Sequence, residues 1–188
     1  MGAVADAARR RRSRSKVTDE APGHEQLLEL VQAAATVADH SSLRPWRLIE
    51  LRGDDRLLIG RGLAEASGAD GKSAEKLEQK ALRAPLVLAV VLSPVESRKV
   101  PEWEQASVAS GVAHLLSLVL DDEGWGVFWR TGTDTRHEAV HRAHGLAPHE
   151  KLLGWLYVGG RTERDEKPRK LLEPGRFVSA PGSATVEA

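Results

Sequence analysis

Four apolar stretches of strand length, separated by segments whose apolar residues recur at helical spacing, predict a mixed domain of the α/β or α+β class. Two of them, Leu86–Leu92 and Leu152–Val158, read as buried strands, and the unbroken apolar run of the first is that of a strand covered on both faces. The other two, Trp46–Leu51 and Trp125–Trp129, follow turn signals and carry tryptophan at their ends. With 188 residues, 41% hydrophobic and 29% charged, the chain suits one domain with its own core, or a subunit that shares its core with a partner. A single domain over 1–188 is expected, with residues 1–8 as an N-terminal extension and 160–188 as an extended tail.

Taken in order, residues 2–10 are Ala-rich and predict a short helix. It runs into Arg9–Lys16, eight positions with six basic residues and two serines, a run that calls for a polyanion, a phosphate or plain water. After Pro22-Gly23, the spacing of Leu27, Leu28, Leu30, Val31 and Ala34 predicts a second helix. The connector Asp39-His40-Ser41-Ser42-Leu43-Arg44-Pro45-Trp46 carries more side-chain donors than a turn needs, which marks it as a ligand-facing loop. Pro45 is expected to hold Arg44 extended. The first strand ends at Gly53, and residues 54–82 form two helical stretches divided near Gly68–Gly71. In the second of these, Lys72, Lys76 and Lys80 space a solvated basic face among Glu75 and Glu78.

Ala84-Pro85 opens the second strand. Pro101 opens the longest helix, to about Glu123, since proline is favoured in a first turn. Its middle, Ala106–Ala113, is rich in small residues that let another backbone approach, and a copy of itself across a two-fold axis suits it. Gly124 stops this helix before the third strand. A further helix is expected over roughly 134–144, ended by Gly145, and then the last strand. The tail from Gly160 has little means of building a core alone and is expected to lie along a partner in a dimer. There is no internal repeat.

Twenty-seven basic residues balance twenty-seven acidic ones, so no global field favours nucleic acid or an anionic membrane. The absence of cysteine excludes disulfides, thiolate metal sites and cysteine nucleophiles, and fits a reducing compartment. The first residues lack an apolar signal core, and no stretch approaches the ~20 apolar residues of a membrane span. A cytoplasmic protein is expected. His137-Glu138-Ala139-Val140-His141 matches the zinc pattern H-E-x-x-H. The polar Thr133–Arg136 before it, the early Gly145 and Ala147 where a third ligand belongs point instead to a short exposed helix with His137, His141 and His144 solvated, and no metal. The arginine run has three readings: a nucleic-acid arm, which lacks interleaved aromatics; a solvated run; or a phosphate clamp, in which guanidinium forks and the Ser13 hydroxyl hold the anion. Trp129-Arg130-Thr131-Gly132, at a strand end, offers a stacking face, a charge and a hydroxyl to an anionic or aromatic ligand.

Arg11-Arg12-Ser13, Asp39–Trp46, Arg83-Ala84-Pro85-Leu86, Lys99–Gln105 and Trp129–Gly132, in this order and spacing, resemble the FMN-dependent nitroreductase family, in its short YdjA-like branch. The resemblance covers about residues 10–160. It implies an α+β fold with a central, mainly antiparallel sheet flanked by helices, formed as an intertwined homodimer with two FMN sites at the interface. It assigns Arg11, Arg12 and Ser13 to the FMN phosphate, ribityl chain or flavin edge, and Trp129, Arg130 and Thr131 to the same cofactor. His40 and the residue at position 36 would come from the other subunit. Such an enzyme supplies no covalent nucleophile: reduced FMN delivers hydride received from NAD(P)H to an electron-poor small molecule such as a nitroaromatic or quinone.

Two departures from the family pattern stand out. Thr36-Val37-Ala38 replaces Arg-Ala-Pro, removing a cation and a rigid turn, which predicts weaker FMN binding. The segment matching the nicotinamide site, Val119, Leu120, Asp121, Asp122, Glu123 and Gly124, places acid where phosphates approach, which predicts poor use of NADPH. The alternative function is a flavin-binding or flavin-sequestering protein with little turnover.

Overall fold

The computed structural model describes residues 2–163 and 172–181. A four-stranded sheet, order β1-β2-β4-β3, is formed by Trp46–Arg52 (β1), Leu86–Leu92 (β2), Trp125–Arg130 (β3) and Lys151–Gly160 (β4). All three pairings are antiparallel, with β1 on β2 from Trp46↔Leu92 to Arg52↔Leu86. β2 is central and buried at every position, as its unbroken apolar run requires.

Alternation along β2 divides the core into two layers. Leu86, Leu88 and Val90 pack with Leu27, Leu30 and Ala34 of α2 (His24–Ala34) and with Val112, Leu116 and Leu120 of α5 (Glu102–Asp122). Val87, Ala89 and Val91 face the other way, onto Ile59 of α3 (Leu57–Ser67), Ala81 of α4 (Gly71–Ala81) and Val140 of α6 (Glu138–Ala143). Each fully buried Leu, Ile or Val here stabilises the fold by about 1.5–3 kcal/mol relative to exposure. Outside these layers, α1 (Ala3–Arg10) contacts α5. Among the described residues no helix is long and apolar enough to cross a membrane.

Two local expectations are corrected. The single helix expected over 134–144 is a 3-10 turn, Thr133–Arg136, followed by the six-residue α6. The break falls at His137, whose ring accepts a hydrogen bond from the Ala139 amide and so caps α6. Arg44 is not extended before Pro45: its φ is +49°, and Ser41 and Ser42 also have positive φ, +64° and +52°. The Asp39 carboxylate holds this bend by accepting from the Arg44 amide at 2.6 Å.

Candidate functional site

The N-terminal arginine segment lies along the outer edge of β3. Ser13 bridges Val127, the Arg14 amide donates to the Val127 carbonyl at 2.8 Å, and further on the Thr18 amide donates to the Gly160 carbonyl at 2.9 Å. The crossing is close enough that a Cβ on Gly160 would stand 2.2 Å from Thr18 Oγ1, so glycine there is a packing requirement. Within the segment, Arg12 Nη1 donates to the carbonyls of Arg9, Arg10 and Arg11 at 2.6, 3.1 and 3.1 Å. It thereby closes the end of α1, where carbonyls lack helical partners. Arg11 Nη1 reaches Ser13 Oγ at 3.5 Å.

The acidic end of α5 is the counter-charge for this segment. Asp121 is buried, takes Arg161 Nη2 on Oδ2 at 3.1 Å and on its own carbonyl, and lies 3.9 Å from Arg14 Nε. Asp122 pairs with Arg10 at 3.1 Å. Leu120 belongs to the core and Val119 packs against it. Of the six residues expected at the nicotinamide cofactor, Asp122, Glu123 and Gly124 face solvent. Val119, Asp122 and Glu123 also line a cleft of about 530 Å³ between α1 and α5.

At the end of β3 the pleat sends neighbouring side chains to opposite faces. Trp129 turns toward α5 and meets the His114 ring edge-on, centroids 4.9 Å apart. Arg130 turns to the α3/α4 face and stands 5.5 Å over the Tyr157 ring. Burial pushes the Tyr157 phenol up, against the opposing pull of the Arg130 and Arg83 charges. Two cavities meet at Arg130 and Tyr157. One, of about 180 Å³, has Ile59, Leu63, Leu77 and Trp155 on its apolar wall and Lys80, Thr131 and Asp134 as polar groups. The other, of about 130 Å³, is lined by Arg14, Ser15, Val17, Arg83, Ala84 and Phe128.

The polar loop stands elsewhere. His40 Nδ1 pairs with Glu104 in the first turn of α5 at 2.8 Å, and the Thr36 hydroxyl, just past α2, donates to the Ala33 carbonyl of that helix at 2.8 Å. The loop feeds β1, the opposite edge of the sheet from β3; three strand intervals put these edges about 14 Å apart. Along α5, the partners Glu104 of His40 and Asp121 of Arg14 are separated by about 25 Å of helix. Within one chain, therefore, Arg130 shares one cavity with Thr131 and the other with Arg14, while His40 does not join them.

Arg14, Arg83, Lys80 and Tyr157 are site-lining residues that sequence reasoning left unassigned. Arg14 and Arg83 stood inside segments already noticed, and Tyr157 follows from period-two alternation with Trp155. The two histidines of the zinc-like motif, and His144 after them, have structural partners. His137 caps α6, and His141 Nε2 meets the Thr135 carbonyl at 2.8 Å. His144 corrects the expectation of a solvated ring: it is buried, donates from Nδ1 to the Val140 carbonyl and accepts Trp155 Nε1–H on Nε2, both at 2.8 Å. Burial holds its pKa below the ordinary value.

Comparison with known proteins agrees with this architecture. "Putative NAD(P)H nitroreductase YdjA" of Escherichia coli strain K12 is 31% identical over 172 residues, covering 90% of this chain and 94% of the relative. A nitroreductase-like family protein from Bacillus cereus superposes with a TM-score of 0.79 at 19% identity, covering 97% of this chain and 98% of that one. The FMN and NADPH-dependent nitroreductase NfnB from sphigopyxis sp. strain HMH, solved as a point variant, superposes with a TM-score of 0.73 at 16% identity, covering 97% and 100%. The sequence profile of the nitroreductase family matches residues 8–160, the span that holds the sheet, both helical layers and the arginine segment, and the chain belongs to that family.

Proposed function

We propose that this protein is an FMN-dependent oxidoreductase that takes hydride from NAD(P)H and passes it to electron-poor acceptors such as nitroaromatics and quinones, working as a homodimer. The observation that carries the proposal is the pair of joined cavities at the end of β3, cationic on one side and apolar and aromatic on the other. FMN has the same division, a phosphate at one end and a flat ring system at the other. Arg130 stands at the junction, with Thr131 and Lys80 on the wall of the larger cavity. Bound there, the cofactor would supply the hydride chemistry. The protein's part is to hold it, to place positive charge beside it and to keep one face open to an acceptor.

The family relation supports the oxidoreductase class, and the separation of His40 from Arg130 supports the dimer, because a second copy can bring its own β1-edge loop to this site. Exposed apolar residues on several elements, Leu28, Trp103, Leu172, Phe177 and Val178, favour a partner surface as well. Arg11 and Ser13 remain proposed ligands of the cofactor, and Val119–Gly124 a proposed contact of the reductant. A second reading, flavin binding with little turnover, draws on Thr36, whose hydroxyl serves the end of α2 and supplies no cation.

Absorbance spectroscopy tests both. Purified protein is mixed with FMN, desalted, and treated anaerobically with NADH and then NADPH. Retained flavin that bleaches is the expected result; retained flavin that stays yellow favours the binding protein, and no retained flavin overturns the cofactor assignment.

A further inference from the structure

His144 and Trp155 form a buried pair that the proposed chemistry does not use. His144 follows α6 and Trp155 lies in β4; only 6% and 4% of their surfaces are exposed. Their ring centroids stand 5.7 Å apart. The bonding around the imidazole fixes its protonation. The Val140 carbonyl can only accept, so Nδ1 carries the proton given to it at 2.8 Å. The Trp155 indole N–H can only donate, so Nε2, 2.8 Å away, must keep its lone pair. His144 is therefore held neutral, with its one donor and its one acceptor both used.

Trp155 carries this constraint into the larger cavity. Its ring shares the apolar wall of that space of about 180 Å³ with Ile59, Leu63 and Leu77, in the same lining as Arg130 and Thr131. A proton added to Nε2 would set N–H against N–H. The hydrogen bond is then lost, and two buried donors are left without acceptors. The helix side has little room to give way: a Cβ on Gly62 of α3 would stand 3.0 Å from Ala143 Cβ and 3.3 Å from Val140 Cα, so α6 is pressed onto α3. The empty space lies on the other side, next to Trp155, and the displacement falls on its ring.

The charges around α6 leave this titration to His144 itself. Burial comes first in holding its pKa below the ordinary 6.5; the Val140 carbonyl opposes that, and the His141 charge, on the same helix, adds to it. Glu138 and Glu65 of α3 are taken by Arg142, and Arg61 of α3 by Glu78. In the turn before α6, Arg136 donates to the Leu152 carbonyl and Asp134 lines the cavity. Toward β4, Glu150 is held by Arg47, Lys151 by Glu102, and Tyr157 lies under Arg130, while His149 is exposed. None of these is hydrogen-bonded or ion-paired to the His144 ring among the described residues.

We propose that His144 is a pH-sensitive positioning residue: neutral, it holds the Trp155 ring in the cavity wall, and protonated, it releases that ring and weakens the binding of a flat aromatic ligand in the cavity. The neutral form is the binding form, so affinity is full above the folded pKa of His144 and falls as pH drops through it, below 6.5. The proposal rests on the FMN oxidoreductase reading for the identity of the ligand, but not for the hold of His144 on Trp155.

The experiment follows full-length wild type, His144→Gln and Trp155→Phe from pH 8 to pH 5, with circular dichroism marking the range in which each is folded. Nitrogen-15 and carbon-13 NMR reads the pair without any flavin. The Trp155 indole N–H resonance is assigned by its loss in Trp155→Phe, and the His144 ring by its loss in His144→Gln. Both should move with one midpoint below 6.5 in the wild type. Fluorescence titration with FMN then reads the cavity. Below that midpoint the wild-type affinity should fall about tenfold per pH unit, because only the neutral fraction binds. This fall should exceed any seen in His144→Gln, whose amide oxygen can accept from Trp155 and does not titrate; the FMN phosphate titrates equally in both. Coincident pH profiles of wild type and His144→Gln, an indole resonance indifferent to the His144 midpoint, or a ring that does not titrate before the fold is lost would each overturn the proposal. A wild type that binds no FMN at any pH sinks the FMN reading instead, and the indole resonance still decides whether His144 holds the ring.

Discussion

Glu150, just ahead of β4, accepts two parallel hydrogen bonds from Arg47 of β1, at 2.6 and 2.7 Å, and a third from the Ala147 amide at 2.9 Å. These bonds, foremost the Arg47 pair, hold its carboxyl down to about 2. A carboxylate whose folded pKa is depressed contributes stability that is complete above its unfolded value, near 4.5, and is lost as pH falls toward about 2. Glu150→Gln should therefore lower unfolding free energy at pH 7 by about 1.5–3 kcal/mol, the worth of a hydrogen bond to a charged group. Urea unfolding at pH 7, 4 and 3 checks this: the gap between variant and wild type should shrink through the acid range, and a constant gap would assign the loss to packing. Arg47 and Glu150 are 103 positions apart, and nothing in either neighbourhood announces the other. The same holds for Asp121 with Arg14 and Arg161: composition shows that charges balance, and only the fold says which acid meets which arginine.

Elements were far more legible than pairs. The unbroken run of β2, the 3.6-residue spacing of α2 and the glycines flanking α3 and α4 are local signals, and each is repeated over several residues. Legibility fails where a single side chain overrides the pattern. His137 turns what looks like one helix into two pieces by capping the second, and Asp39 bends Arg44 into positive φ against the preference for extension before proline. Gly154 is a third such place, in β4 beside the site. Its φ of +135° lies outside what L side chains adopt, and a Cβ would stand 2.3 Å from the Arg130 carbonyl. Gly154→Ala should cost about 3 kcal/mol of stability, the upper range for a strained backbone residue. Because the clash falls on Arg130, whatever variant survives should also hold FMN more weakly. Urea unfolding and flavin titration read the two effects, and wild-type values in both would show that β4 relaxes without disturbing the end of β3.

For the whole molecule, the question is how two groups of proposed ligands that one chain keeps apart can act on one cofactor. His40 belongs to the loop that feeds the β1 edge and pairs with the first turn of α5, Thr36 follows the end of α2, and Arg130 and Thr131 belong to the β3 edge. No loop motion of a few ångströms crosses four strands, so either one group is idle or a second copy supplies it. A two-fold axis would give each site one group from each chain, because the symmetric contact repeats itself in reverse. Mixing variants decides between these. His40→Ala and Arg130→Ala homodimers should each bind FMN poorly. Unfolded together in equal amounts and refolded, half the dimers would be mixed. Each mixed dimer has one site with both groups intact and one with both lost, so the mixture should recover about a quarter of wild-type sites. If both groups acted within one chain, no assortment of the two variants would rebuild a complete site and recovery would be nil. If His40 were idle, the His40→Ala homodimer would already bind FMN as tightly as wild type, before any mixing.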